Sequence, residues 1–343
     1  MKEERFSASD LPLVLRHTFR IAHGASTRRD NVIVRIDDGY GEAALPPYYP
    51  TTRNDVLEYM ERIRPILEDI PTSGPFPLTA FLAKLPETPP PACAAVDMAL
   101  HDVWGKRLGF PLHVLFGLDP QSMPVSSYAL PIPESLEELN GFLSEAEGFP
   151  FLKLKIGCGD VSFDEAIVRH TRCQYSGMLC VDVNAKWPIQ TAVDMIKRLA
   201  DCDLAFIEQP IPAEDPEEWH LLRRLLKGAP ATLIADESLQ TPDDILALAG
   251  AANGINIKLA KCGGIQPARE MISLARHLEM GVMLGCMIES SVAMTAAAHL
   301  GPLADWLDLD GPMHLAADPF SGLSFDKGLI TLSDRPGIGV TPV

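Results

Sequence analysis

The charged residues best suited to chemistry in this chain close apolar, strand-like runs. The runs are FLKLKIG, LCVDVNA, AFIEQP, TLIADES, INIKLAK and DWLDLDGP. They carry Lys153 and Lys155, Asp182, Glu208, Asp236, Lys258, and then Asp308 and Asp310. From Lys155 the steps are 27 residues to Asp182, 26 to Glu208, 28 to Asp236 and 22 to Lys258. Each step is about the length of a strand, a helix and two loops, so the rungs converge at one end of a parallel barrel. Three carboxylates meeting at one point repel each other unless a cation lies between them. An all-oxygen site at Asp182, Glu208 and Asp236, with room for water and substrate, suits one Mg2+ per subunit better than zinc. Two lysines facing each other across a bound carbon can each exchange a proton with one face of it. Such parts describe removal of a proton α to a carboxylate through a metal-stabilised enediolate. If both lysines work, the outcome is epimerisation or racemisation.

A lysine base must be neutral when it acts. From a reference pKa near 10.4, half-deprotonation at pH 7 costs about 4.6 kcal/mol. Lys153 lies two residues from Lys155 on the same strand face, and its charge, like that of the cation, pushes Lys155 down. Lys153 therefore joins Lys155 and Lys258 as a candidate catalytic residue. Taken singly, a strand-end Asp or Lys is most often a solvated loop residue. Five rungs at a near-constant repeat with complementary chemistry outweigh that reading. Lys261, three residues past Lys258, is expected to point elsewhere. Asn184 serves either as an outer metal group or as a turn residue. Glu289 either lines the site or caps a helix, with the cap favoured.

The elements that position these residues are legible in the periodicity. Apolar strand candidates occur at 124–131, 150–157, 178–184, 204–209, 232–237, 254–260, 281–287 and 305–310, and helical stretches separate most of them. Eight strands with helical connections indicate an α/β chain with a TIM-like (β/α)8-type barrel, rather than an open doubly wound sheet. No GxGxxG follows an early strand, as the open alternative would favour. Upstream, LPLVLRHTFRIA and NVIVRIDDGYGEA alternate with period two, with ASTRRD between them as a polar loop, and helices follow at 52–68, 75–84 and after the proline cluster ETPPP. The expected organisation is an α+β capping domain over 1–117, the barrel over 118–317, and a Gly-, Pro- and Asp-rich segment, 318–343, returning to the capping domain. In the strand numbering from 124, Lys155 ends strand 2 and Lys258 strand 6, on opposite walls. The three carboxylates end strands 3 to 5 between them, and Asp308 and Asp310 end strand 8.

Composition narrows the partners. A formal net charge of −17 over 343 residues argues against binding nucleic acid or an anionic membrane surface. No apolar run approaches the length of a membrane span, and MKEERFSASDLP lacks the apolar core of a signal peptide. Seven scattered cysteines without a CxxC argue against a disulfide framework or structural zinc, and for reduced thiols in the cytoplasm. Apolar surface on the barrel helices would allow a homo-oligomer.

These motifs together resemble the enolase superfamily in its muconate-lactonizing subgroup, over nearly the whole chain. The matching elements are KLK at 153–155, DVN at 182–184, EQP at 208–210, DES at 236–238, IKLAKCGG at 257–264 and the helix AAVDMALHDVWGKRLGFPLHVLFG. The resemblance implies a modified (β/α)7β barrel, Mg2+ at Asp182, Glu208 and Asp236, an acid/base pair of Lys155 and Lys258, and an N-terminal domain over the barrel mouth. Sugar-acid members place a histidine at the end of strand 7. GVMLGCMIES has none, which disfavours them, and its Met287 is taken as a substrate-binding position. DLDGP at 308–312 is similar to the Asp-x-Asp element of dipeptide epimerases, where it holds the substrate's α-ammonium group. Arg28 or Arg29, in the loop between the first two strands, either binds a side-chain carboxylate such as that of glutamate or stays a solvated loop arginine. The expected activity is therefore Mg-dependent epimerisation of an L-Ala-D/L-Glu type dipeptide. Alternatives are racemisation of an N-acyl amino acid such as N-acetylglutamate, o-succinylbenzoate synthase or muconate cycloisomerase chemistry, and a non-catalytic metal-binding role.

Overall fold

The computed structural model describes residues 5–213 and 215–343. The first four residues of the expected capping domain, and Glu214, lie outside the described residues. Strands β1 (Phe6–Ile21) and β2 (Gly24–Ile36) form a long antiparallel hairpin, and β3 (Gly39–Ala43) adds to β2. Leu11, Leu13 and Leu15 are buried from β1, and Val32, Val34 and Ile36 from β2, as period-two alternation requires. The segment ASTRRD is not a loop. It continues β2, with Ser26 opposite Phe19 and Arg29 opposite Leu13, and the turn is only Ala22–His23. Its polarity reflects one face over the barrel mouth and one in solvent. The register shifts between Val14 and Phe19. Past that shift the hairpin reaches the barrel, where Ile132 N donates to Arg20 O at 2.9 Å.

Helices α1 (Arg53–Glu68), α2 (Leu78–Leu82), α3 (Pro90–Leu108) and α4 (Leu112–Leu115) follow. Thr52 starts α1 with a capping box: Thr52 Oγ1 accepts from Asp55 N, and Asp55 Oδ2 from Thr52 N. Prolines open α3, where a missing N–H costs nothing, and Gly109 closes it at φ 79°. This helix is buried on almost every side because it lies between β3 and the barrel. Gly41 of β3 packs so closely on it that a Cβ would occupy the place of the Ala95 carbonyl.

The barrel alternates β4 (Tyr128–Leu130), α5 (Leu136–Glu145), β5 (Phe151–Lys155), α6 (Val161–Gln174), β6 (Met178–Asp182), α7 (Ile189–Arg198), β7 (Ile207–Glu208) and α8 (Pro216–Leu225). It continues with β8 (Leu233–Ala235), α9 (Pro242–Leu248), β9 (Gly254–Ile257), the single turn α10 (Leu259–Cys262), α11 (Ile265–His277), β10 (Gly281–Leu284), α12 (Ser291–Ala298) and β11 (Trp306–Leu307). The eight strands pair in sequence order, each parallel to the next. A bridge from Ser126 to Leu307 joins the two ends of the sheet, with Ser127 N donating to Leu307 O at 2.8 Å. Among the described residues no α-helix follows β11, so the barrel is of the (β/α)7β form. All eight expected strands are present but shorter than their apolar runs, because the run ends turn into the loops that carry the charges. Phe151, Cys180, Phe206, Ile234 and Met283 plug the barrel at its other end, which confines the charged groups to the C-terminal mouth.

Buried polar contacts hold the parts together. Asp97 of α3 accepts Ile265 N at 2.6 Å, capping the start of α11 from another element. Asp102 accepts Tyr40 N at 3.0 Å and Ile338 N at 2.8 Å, binding β3 and the chain end to one carboxylate. The final segment adds the short strands β12 (Phe320–Ser321), β13 (Ser324–Asp326), β14 (Leu329–Thr331) and β15 (Thr341–Pro342). Among the described residues no helix is long and apolar enough to cross a membrane.

His299, at the end of α12, lies fully buried between His113 and this segment. Its Nδ1 accepts from His113 N at 3.1 Å, and its Nε2 meets Ile338 O at 3.1 Å. Burial, opposing the charged ring, pushes its pKa down to about 3. Below pH 6.5 the unfolded chain therefore takes up a proton that the folded chain refuses. Stability falls as pH drops from 6.5 toward 3, by at most about 1.4 kcal/mol per pH unit from this group. Urea midpoints measured between pH 7 and 4.5 should show a shallower decline in His299→Gln than in the unaltered protein.

Candidate active site

Asp182 ends β6, Glu208 ends β7, and Asp236 follows β8 by one residue. One oxygen from each lies within 4.8 Å of the others, and all three residues are buried. Glu208 Oε1 accepts Asn256 Nδ2 at 2.7 Å. Its Oε2 has Lys153 Nζ at 2.7 Å as an ion pair, but without hydrogen-bond alignment. A buried carboxylate oxygen left without a hydrogen bond, in an all-oxygen triad, fits a hard divalent ion. Burial and then the charge of Asp182 push the Glu208 carboxyl up to about 8, the repulsion that such an ion relieves.

Lys155, the last residue of β5, donates to Asp182 Oδ2 at 2.6 Å. Lys258, just after β9, donates to Asp236 Oδ2 at 2.7 Å on the opposite wall. Both line one cavity with Asp236, Asp308 and Asp310. Burial opposes the Lys155 charge, and Lys153 also pushes its pKa down, but Asp182 and Glu208 together outweigh them and the net shift is upward. The KxK spacing thus contributes with the expected sign, while the net direction is the reverse of the one expected. Lys153 lies beneath the cavity and touches Asp182 at 3.4 Å, Glu208 at 2.7 Å and Asp308 at 2.7 Å. Lys261 does not point elsewhere. The turn of α10 brings its ammonium back onto Asp236 Oδ1 and the Asp236 carbonyl.

Asp308 accepts Ser127 Oγ at 2.6 Å as well as Lys153. Asp310 Oδ2 accepts Ala129 N at 2.6 Å and contacts His314 Nε2 at 2.8 Å. Burial pushes Asp310 up, but His314 and the Ala129 amide hold it below the usual carboxylate range. Among the described residues its Oδ1 has only the Cys286 thiol, at 3.9 Å. Strand alternation separates the two arginines. Arg28 faces solvent and pairs with Asp30, whereas Arg29 is buried on the cavity wall. Ser26 and the Arg28 carbonyl accept from the Arg29 guanidinium, and burial lowers its pKa. Met287 lines the same cavity, with Tyr48 Oη at 3.8 Å from its sulfur.

Asn184 and Glu289, each with two readings in the sequence, take definite places. Asn184 is both turn and site: φ is 47°, its N–H donates to Asp182 Oδ1 at 2.9 Å, and its Nδ2 to Glu237 Oε1 at 3.2 Å. Glu289 does not cap α12. Ser290 does, and Glu289 Oε2 turns back to accept Met287 N at 2.8 Å. Phe19, Tyr48, Tyr49 and His314 also line the cavity. Only His314 had a local signal, four residues after Asp310.

Residues 10–117 match the N-terminal domain of the mandelate racemase / muconate lactonizing enzyme family, and residues 137–343 the enolase C-terminal domain-like family. The chain is 37% identical over 340 residues to an L-Ala-D/L-Glu epimerase of Bacteroides thetaiotaomicron, covering 96% of this chain and 86% of that one. Its fold is similar to the substrate-liganded L-Ala-D/L-Glu epimerase from Bacillus subtilis, with a TM-score of 0.90 and 27% identity over 100% of this chain and 99% of that one. It is also similar to an Enterococcus faecalis dipeptide epimerase complexed with Mg and L-Leu-L-Tyr, with a TM-score of 0.88 and 29% identity over 99% and 100% of the two chains.

The triad's charge sets its affinity for a divalent ion. Glu208→Gln should weaken Mg2+ binding roughly tenfold or more in isothermal titration of the chelator-stripped protein, while its circular dichroism stays native.

Proposed function

The chain belongs to the mandelate racemase / muconate lactonizing enzyme family of the enolase superfamily, and on that premise we propose that it epimerises dipeptides of the L-Ala-D/L-Glu type. The cofactor is Mg2+, for which Asp182, Glu208 and Asp236 provide the oxygen ligands. The observation that carries the reading is the placement of Lys155 and Lys258 on opposite walls, each against a different member of that triad. With the ion bound, the substrate carboxylate meets positive charge as its α-proton leaves. One lysine removes the proton from one face of the α-carbon, and the other delivers a proton to the opposite face. Lys153 acts as a positioning residue that holds Asp182, Glu208 and Asp308 together beneath the cavity. The substrate's α-ammonium group meets the acidic end of β11, where Asp310 Oδ1 is free to accept it. Arg29, rather than Arg28, takes the side-chain carboxylate of the second residue, since it lies on the cavity wall and has no acidic partner among the described residues. A cytoplasmic location, expected from the cysteine pattern, goes with this reading.

In D2O with Mg2+, L-Ala-L-Glu should gain deuterium at the glutamate α-carbon and change configuration there, whereas N-acetylglutamate, which has no ammonium group, should not. Lys155→Ala and Lys258→Ala should each abolish epimerisation yet retain exchange from opposite configurations of the substrate, because each leaves one face served. No deuterium in any member of a dipeptide panel would sink the proposal.

Loss of one charge-assisted pair lowers binding by about 1.5–3 kcal/mol, so Arg29→Leu should reduce kcat/KM for L-Ala-L-Glu by roughly 10–100-fold. Arg28→Leu should leave it nearly unchanged.

A further inference from the structure

A second cavity, of about 470 Å3, adjoins the catalytic one. The two share Phe19, Ala129 and His314 as a common wall. This volume falls within the range of small-molecule sites. Aromatic and aliphatic side chains line it together with Arg16, His17, Thr18 and Glu145, so its surface is about half polar. The Tyr128 ring is stacked between Phe149, at 4.5 Å, and His314, at 5.1 Å, with Phe142, Leu130 and Phe325 around them. The charged groups on its lining already have partners. Arg16 donates to the Leu315 carbonyl at 2.7 Å, and Glu145 lies 3.6 Å from His17.

The wall is built at the acidic end of β11. Asp310 Oδ2 is taken by Ala129 N and His314, which leaves Oδ1 for an ammonium group. An ammonium there places the α-carbon of the substrate's first residue against the wall. Ala129 is the smallest of the three shared wall residues. We infer that the second cavity receives the side chain of the first residue, and that the substrate is a dipeptide with a bulky apolar first residue and an acidic second one. A methyl group would leave this space unfilled. A phenylalanine-sized side chain would bury its area against Tyr128 and Phe142. The inference rests on the dipeptide reading given above.

The test compares α-deuteration of L-Ala-L-Glu and L-Phe-L-Glu in D2O by the Mg2+-loaded protein. L-Phe-L-Glu is expected to be turned over with a kcat/KM at least equal to that of L-Ala-L-Glu, and a lower value overturns the inference. Thr18→Trp and, separately, the more exposed Glu145→Trp fill the cavity from β1 and α5. Each should lower the ratio of Phe-Glu to Ala-Glu kcat/KM by roughly tenfold, and an unchanged ratio in a folded variant overturns the assignment of the side chain to this cavity. Turnover of Ala-Glu with poor turnover of Phe-Glu refutes the subsite alone. Turnover of neither refutes the epimerase reading itself.

Discussion

Eight of the charged side chains buried at one end of this barrel are joined in ion pairs, and the surrounding structure is arranged to keep them compatible. Asp182, Glu208, Asp236 and Asp308 face Lys153, Lys155, Lys258 and Lys261. Removing any of these groups from water is costly unless it is paired and hydrogen-bonded. The pairing is not one to one. Lys153 bridges three carboxylates, and Asp236 receives two lysines. A bridging lysine holds several strands at fixed separations, which is how β5, β6, β7 and the end of β11 keep one geometry. The two outer lysines, by contrast, each hold a single carboxylate and reach the cavity. They are the groups whose protons can move without dismantling the rest.

The cap has the complementary task of closing the mouth. Glu42 of β3 accepts from the backbone and hydroxyl of Ser290, and Asn31 donates to Glu42 and to the Ile288 carbonyl. These bonds fix the loop after β10, which supplies Met287 and Ile288 to the cavity wall. At the other side His23, on the hairpin turn, approaches Glu237 at 3.5 Å. The substrate-facing surface is therefore assembled from two elements that meet only in the folded molecule.

That division explains which parts of the molecule were legible in the sequence. The lysines and the triad were, because a charge ending an apolar run at a regular interval follows from strand geometry alone. The eight-stranded barrel was legible for the same reason, and its (β/α)7β form followed from the family resemblance. The fate of Lys261 was not, since a single turn of helix after Lys258 reverses its direction. The stretch ASTRRD looked like a loop because its polarity answers to solvent and a charged mouth, and its pairing with β1 is not a local property. Glu289 preceded a helix and so resembled a cap, but burial beside Glu42 turned it inward and raised its pKa to about 8. That Arg29 faces the cavity and Arg28 the solvent was not legible either, since it follows from both lying on a strand, where neighbours face opposite ways.

The same alternation has an evolutionary consequence. Arg29 faces the cavity because of the parity of its position on β2, and Arg28 and Asp30 on either side face outward. A one-residue insertion or deletion near the hairpin turn would invert that parity and leave the barrel chemistry untouched. The mouth would then present a different charge to an incoming ligand. Substrate preference in such a scaffold can change by a jump in register, not only by gradual replacement of side chains, and relatives with the same lysines and triad can diverge abruptly in what they accept.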